Sequence, residues 1–125
     1  AEVRGLLAAL NPGHEGGAGT LHANGPEEVP ARLEALGSLA GMPREAVHAQ
    51  LRGALDVVVH VVRDRRGRRV ERLGLPRAGP DGLVEVRTAL VDDGVLLRRG
   101  PAIAQLAGLV PPGTLPADLV AGAPP

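Results

Sequence analysis

Three turn signals divide residues 56–98 into short apolar runs, and that spacing leaves few folds open. The stretch "DVVVHVVRD" is β-branched, too short to stand as a lone helix and rich in strand formers. The tetrapeptide "DRRG" then turns the chain back into "RRVERLGL". Asp81-Gly82 and Asp93-Gly94 follow, each flanked by alternating apolar residues, and Asp-Gly is a preferred pair in tight hairpins. The pattern predicts antiparallel strands over 55–63, 69–75, 83–91 and 95–98, turning at Arg65-Arg66, near Asp81-Gly82 and at Asp93-Gly94. No Phe, Tyr or Trp occurs in the 125 residues, so the core beneath these strands must come from Val, Leu and Ala.

Helical periodicity lies on either side. "EVRGLLAAL" over 2–10 places Val3, Leu6, Leu7 and Leu10 on one face, and Asn11, Pro12 and Gly13 stop it. "GTLHA" reads as a short strand. "GPEEVPARLEALGSLAGM" is the clearest helix, with Val29, Leu33, Leu36 and Ala40 recurring and Leu39 beside them. Pro30 fits poorly inside a helix, which puts the true start near Val29. A second helix begins after Pro43 and buries Val47, Leu51 and Ala54, leaving His48 on the exposed side. "PAIAQLAGL" is a short helix, and the Pro- and Gly-rich tail 111–125 is expected to be loose.

Several chemistries are excluded by what is missing. Without Cys there is neither a disulfide nor a thiolate metal site. Without aromatics, base stacking on aromatic side chains is excluded, and a net charge of zero gives no global field toward nucleic acid. All 14 basic residues are Arg, so a Walker-type phosphate loop, which needs G-x-x-x-x-G-K-[ST], is impossible in this chain. No apolar run approaches the roughly 20 residues of a membrane span. The chain opens on Ala and runs straight into a helical pattern, so the expectation is a fragment with further sequence upstream.

The segment "NPGHEGGAGTLHAN" carries the chemistry. Two histidines eight apart stand among four glycines, with Thr20 and Asn24 nearby. An imidazole can donate a hydrogen bond to a phosphate or orient an attacking water, and it changes charge near neutral pH. Glycines let backbone approach phosphate closely and let a loop move. Thr20 and Asn24 can fix a ring or contact the phosphate. Residue types alone nevertheless leave His14 as a loop residue and His22 as a strand-end residue without a role. A metal site lacks further carboxylate or histidine partners nearby.

In combination the segments resemble a known family. "ALNPGHEGGAGTLHAN", "PEEVPARLEALGSLAGM" and "VHAQLRGALDVVVHVVRDRRGRRV" look like the C-terminal part of a type II/IV secretion ATPase, nearest the CpaF-type tight-adherence (Flp) pilus branch. Ala1-Glu2 match the end of the Walker B segment. Leu10-Asn11, Gly13-His14, Thr20-Leu21-His22-Ala23-Asn24, Arg32-Leu33-Glu34, Gln50-Leu51 and Ala54-Leu55-Asp56 follow in register. Pro12 departs from the usual Thr, Gly25 from Ser and His48 from Arg. "AEVRG" at 1–5 imitates the Walker B string, but the downstream register sets it aside, and Glu2 receives no catalytic role.

The resemblance covers about residues 1–75 and implies an α/β fold, the C-terminal part of a RecA-like P-loop NTPase domain with an appended small antiparallel sheet. Domain boundaries follow as 1–75 for the RecA-like part, 76–110 for appended strands and a short helix, and 111–125 for the tail. It implies an ATPase of hexameric assembly that powers pilus assembly or secretion, with ATP and Mg2+ bound mainly by upstream motifs. It implies that His14 and His22 act as a catalytic nucleotide sensor, with Gly13, Thr20 and Asn24 at the cofactor, and a cytoplasmic location at the inner face of the membrane against a platform protein.

Other readings stand beside this one. The same piece could be a non-catalytic docking module, and metal-dependent hydrolysis is a third possibility. Arg63, Arg65, Arg66, Arg68, Arg69 and Arg72 around the hairpin tip read as a solvated face or as a contact for an acidic or platform partner. His60 reads as a packed or edge-facing residue, and Arg32 as a helix-surface residue at a subunit contact.

Overall fold

The computed structural model describes residues 18–124. The expected helix over 2–10, Gly13 and His14 lie outside them. A 3-10 turn, Pro26–Glu28, leads into α1, Val29–Leu39, and α2 spans Arg44–Ala54. Four strands follow: β1 Val58–Asp64, β2 Gly67–Ala78, β3 Val84–Asp92 and β4 Leu97–Arg99. Two short helices, α3 Ile103–Ala107 and α4 Ala117–Val120, complete the order.

The strands form one antiparallel sheet in sequence order, because each connection is a local reversal. Asp64 pairs with Gly67, so Arg65-Arg66 form the two-residue turn, and the Asp64 carboxylate accepts the Arg66 N–H at 2.8 Å. Gly67, Gly82 and Gly94 take φ of 109°, 80° and 95°, the left-handed values these turns demand. The strands thus follow the predicted runs. The 75/76 boundary falls inside β2, whose pairing runs from Gly67 to Ala78.

An apolar core lies on each face of the sheet, while Val59 and Val61 of β1 and Val70 of β2 remain exposed. On one face, Val29 and Leu33 of α1 meet Val47 and Leu51 of α2 over Val84, with Leu21, Ala23 and Val58 at the margin. On the other, Leu75 and Ala89 pack on Ala102, Ile103 and Leu106, with Leu115, Val120 and Ala123 against them. Strand β3 serves both, since successive side chains point to opposite faces. Val84, Val86 and Thr88 face the helical layer, whereas Ala89 joins the second core. Pro26 lies so close to the sheet that a Cβ at Gly74 would stand 2.5 Å from its Cβ and 2.7 Å from Val86 Cγ1. Only glycine lets the 3-10 turn sit there.

Some expectations need correction. The helix begins at Val29 with Pro30 in its first turn, as foreseen, but Leu39 is 87% exposed because α1 ends there and turns away. "GTLHA" is not a strand: no described element pairs with it, and only Leu21 and Ala23 anchor it by packing. The tail is not loose over 115–123, where α4 buries Leu119 and feeds the second core. His48 is 1% exposed, not on the surface. It stands three residues before Leu51, on the stripe that α2 turns inward.

Candidate functional site

Of the expected site residues, Thr20, His22 and Asn24 fall within the described chain. Burial alternates along 20–24: Leu21 and Ala23 turn to the core, while Thr20, His22 and Asn24 are exposed. Two-residue spacing thus presents a hydroxyl, an imidazole and a carboxamide to solvent together. Their side chains make no hydrogen bond among the described residues, so all three are available to a ligand. Among those residues no group of three His, Cys, Asp or Glu could hold a metal ion.

The end of this segment is held firmly. Asn24 N–H donates to Glu28 Oε2 at 2.9 Å, and Arg72 NH2 donates to the Asn24 carbonyl oxygen at 3.3 Å. Arg72 also reaches Glu27 Oε1 at 3.5 Å and Glu71 Oε1 at 3.2 Å. Thr88 Oγ1 on β3 donates to Glu27 at 2.6 Å. The sequence grouped Arg72 with the solvated arginines; its partners Asn24 and Glu27 lie 48 and 45 residues back, beyond any local signal.

The rest of the arginine cluster divides. Arg69 donates to Asp64 at 2.8 Å and to the Asp92 carbonyl oxygen at 2.7 Å. That guanidinium, with the Arg66 N–H, holds the Asp64 carboxyl below its ordinary range. Arg63, Arg65, Arg66 and Arg68 are exposed, and their side chains have no partner among the described residues. Arg32 is exposed on α1, and His60 is half-buried opposite Arg72.

A phosphate-rich cofactor meets mixed prospects. Three outward polar side chains suit contact with one phosphate. The adjoining helical start carries Glu27 and Glu28, which repel an anion. The described residues therefore fit a peripheral phosphate contact rather than the cradle of a triphosphate.

A buried polar linkage supports the layer behind the segment. His48 Nδ1 accepts the Val84 N–H at 2.9 Å, which places the ring proton on Nε2, and Nε2 donates to Glu34 Oε1 at 2.5 Å. Arg44 donates to the same oxygen at 2.9 Å. Arg44 first, and then His48, hold the Glu34 carboxyl below its ordinary range.

No helix among the described residues is long and apolar enough to cross a membrane. No protein-family model matches the chain, and no solved structure does. The chain is 68% identical over 69 residues to putative conjugal transfer proteins of two Mycobacterium tuberculosis strains, covering 55% of this chain and 20% of each relative. It is 38% identical over 65 residues to the probable conjugal transfer protein TrbB of Sinorhizobium fredii, covering 52% and 19% respectively. The match thus spans about one fifth of the length of these curated relatives.

Proposed function

We infer that this chain is part of an ATP-driven motor of conjugal transfer or type IV secretion, in which its histidine segment senses nucleotide. The observation that carries the reading is the 68% identity over 69 residues with proteins named for conjugal transfer. The outward set of Thr20, His22 and Asn24 supports it. Since the chain has no Lys, a Walker phosphate loop has to come from sequence outside it. ATP with Mg2+ supplies the phosphoryl group whose transfer drives the machine. In this reading His22 would donate a hydrogen bond toward the terminal phosphate, Thr20 and Asn24 would contact the same phosphate, and Gly13 and His14 would join from outside the described residues. The finer reading is a hexamer at the inner face of the membrane, against a platform protein, in the tight-adherence pilus branch.

The test uses the longest polypeptide that carries this sequence, unaltered and as His14→Ala and His22→Ala. ATPase rate, nucleotide affinity and melting temperature are measured on all three. Losing one donor to the transition state costs on the order of a hundredfold in turnover. Affinity and melting temperature should hold. Full activity in His22→Ala would remove the sensor role and favour a docking module without catalysis. The 125-residue chain alone should bind no Mg-ATP in calorimetry.

A further inference from the structure

We propose that Arg72 is a positioning residue that clamps the exit of the histidine segment to the sheet, with Gly25 as its seat. This rests on the nucleotide-sensing reading for its consequence, though not for its geometry. Both peptide groups of Asn24, two residues after His22, are held by side chains. Glu28 takes the N–H, and Arg72 bonds the carbonyl oxygen. Arg72 stands in β2, opposite His60 of β1 and Val91 of β3, so the clamp is fixed to a strand paired on both sides.

Gly25 supplies an independent observation. Its φ of −176° is extended backbone that any residue adopts, so conformation does not call for glycine there. Space does. A Cβ at this position would lie 3.0 Å from Arg72 NH2, 3.1 Å from NH1 and 3.3 Å from Cζ. The guanidinium lies against the bare backbone, and its side chain is only 28% exposed. One planar fork thus spans Asn24 and Glu27, while Glu27 also accepts the Thr88 hydroxyl. A lysine carries the charge but not the fork.

The clamp sets where His22 can be. If that ring meets a phosphate, loss of Arg72 displaces the donor while leaving it chemically intact. Misplacement of about 1 Å can cost on the order of a hundredfold in rate.

Two measurements test this. On the 125-residue chain, amide exchange is followed in Arg72→Ala, Arg72→Lys and Gly25→Ala. The Asn24 amide, which donates to Glu28, should exchange about tenfold faster in all three, while the amides of β3 keep their protection. Unchanged exchange at Asn24 in Arg72→Ala and Gly25→Ala overturns the clamp. If Arg72→Ala fails to fold, Gly25→Ala decides alone, since it adds one methyl and removes no bond of β2.

On the longer polypeptide, Arg72→Ala should lower kcat by about tenfold or more with KM for ATP within about twofold. Adding Arg72→Ala to His22→Ala should cost almost nothing more, because the two share one function. Additive losses overturn the link to His22. If His22→Ala keeps full turnover while exchange still rises in the Arg72 variants, the sensing reading fails and the clamp stands.

Discussion

Replacing His48 with leucine isolates the buried linkage between α2, α1 and β3. Leucine has similar volume, so the pocket stays filled, but it cannot accept the Val84 N–H or donate to Glu34. That N–H is then buried without a partner, which costs about 1–3 kcal/mol. A hydrogen bond to a charged group adds about 1.5–3 kcal/mol. The low end applies, because the Glu34 side chain is 26% exposed and keeps Arg44 at 2.9 Å. The expected loss is about 2.5–4.5 kcal/mol in urea unfolding of the 125-residue chain. His48→Asn is the control: its carboxamide oxygen can stand where Nδ1 does and accept the same N–H. It should lose the Glu34 contact and some packing, yet retain about 1 kcal/mol more stability than the leucine variant. A leucine variant within about 0.5 kcal/mol of the unaltered chain, the scatter of ordinary surface changes, would refute the linkage.

Gly74→Ala should destabilise by about 1–3 kcal/mol, because the new methyl overlaps Pro26 and Val86; a melting curve checks it. Leu119→Ala should cost about 2 kcal/mol or more and shift the transition of the whole chain, since Leu119 belongs to the second core rather than to a free tail. Acid titration of unfolding free energy should show stability falling below the ordinary carboxylate range. The Glu34, Asp64 and Asp93 carboxyls are held low in the folded chain by Arg44, by Arg69 and by the Leu96 and Val95 N–H groups respectively. Depressed folded values stabilise above the unfolded ones, and the benefit disappears as pH falls through the folded values. His48→Leu, Glu34's second donor removed, should flatten the Glu34 part of that slope.

The hairpins were legible because their signals are local. A β-branched run, an Asp-Gly pair and an alternation of apolar residues lie within one strand of each other, and the ladder repeats them. The helices were legible for the same reason: Val29 and Leu33, or Val47 and Leu51, declare a face by spacing alone. His48 was missed because a histidine read by polarity points outward, whereas its place before Leu51 points inward; the stripe was the available signal. Nothing local could have separated Arg72 from Arg68. Their difference is set by Asn24 and Glu27, brought beside β2 only when the 3-10 turn settles onto Gly74. The candidate site was legible as a set of residue types, and the outward alternation of Thr20, His22 and Asn24 required the packing of Leu21 and Ala23 to appear.

The helical layer and the sheet are tied at two points along β3. Val84 N–H bonds His48 of α2, and Thr88 bonds Glu27 of the 3-10 turn, on the same face of the strand. Sliding the layer over the sheet would break both bonds and open the core of Val29, Leu33, Val47, Leu51 and Val84. Residues 18–23 have neither ladder bonds nor polar anchors of that kind, only Leu21 and Ala23 against the core margin. Local opening is cheapest where buried apolar contacts and protected backbone bonds are fewest. The stiffness of the chain therefore changes sharply at Asn24, where Glu28 and Arg72 grip the backbone. A displacement of His22 either ends at that grip or moves α1, α2 and the sheet as one body.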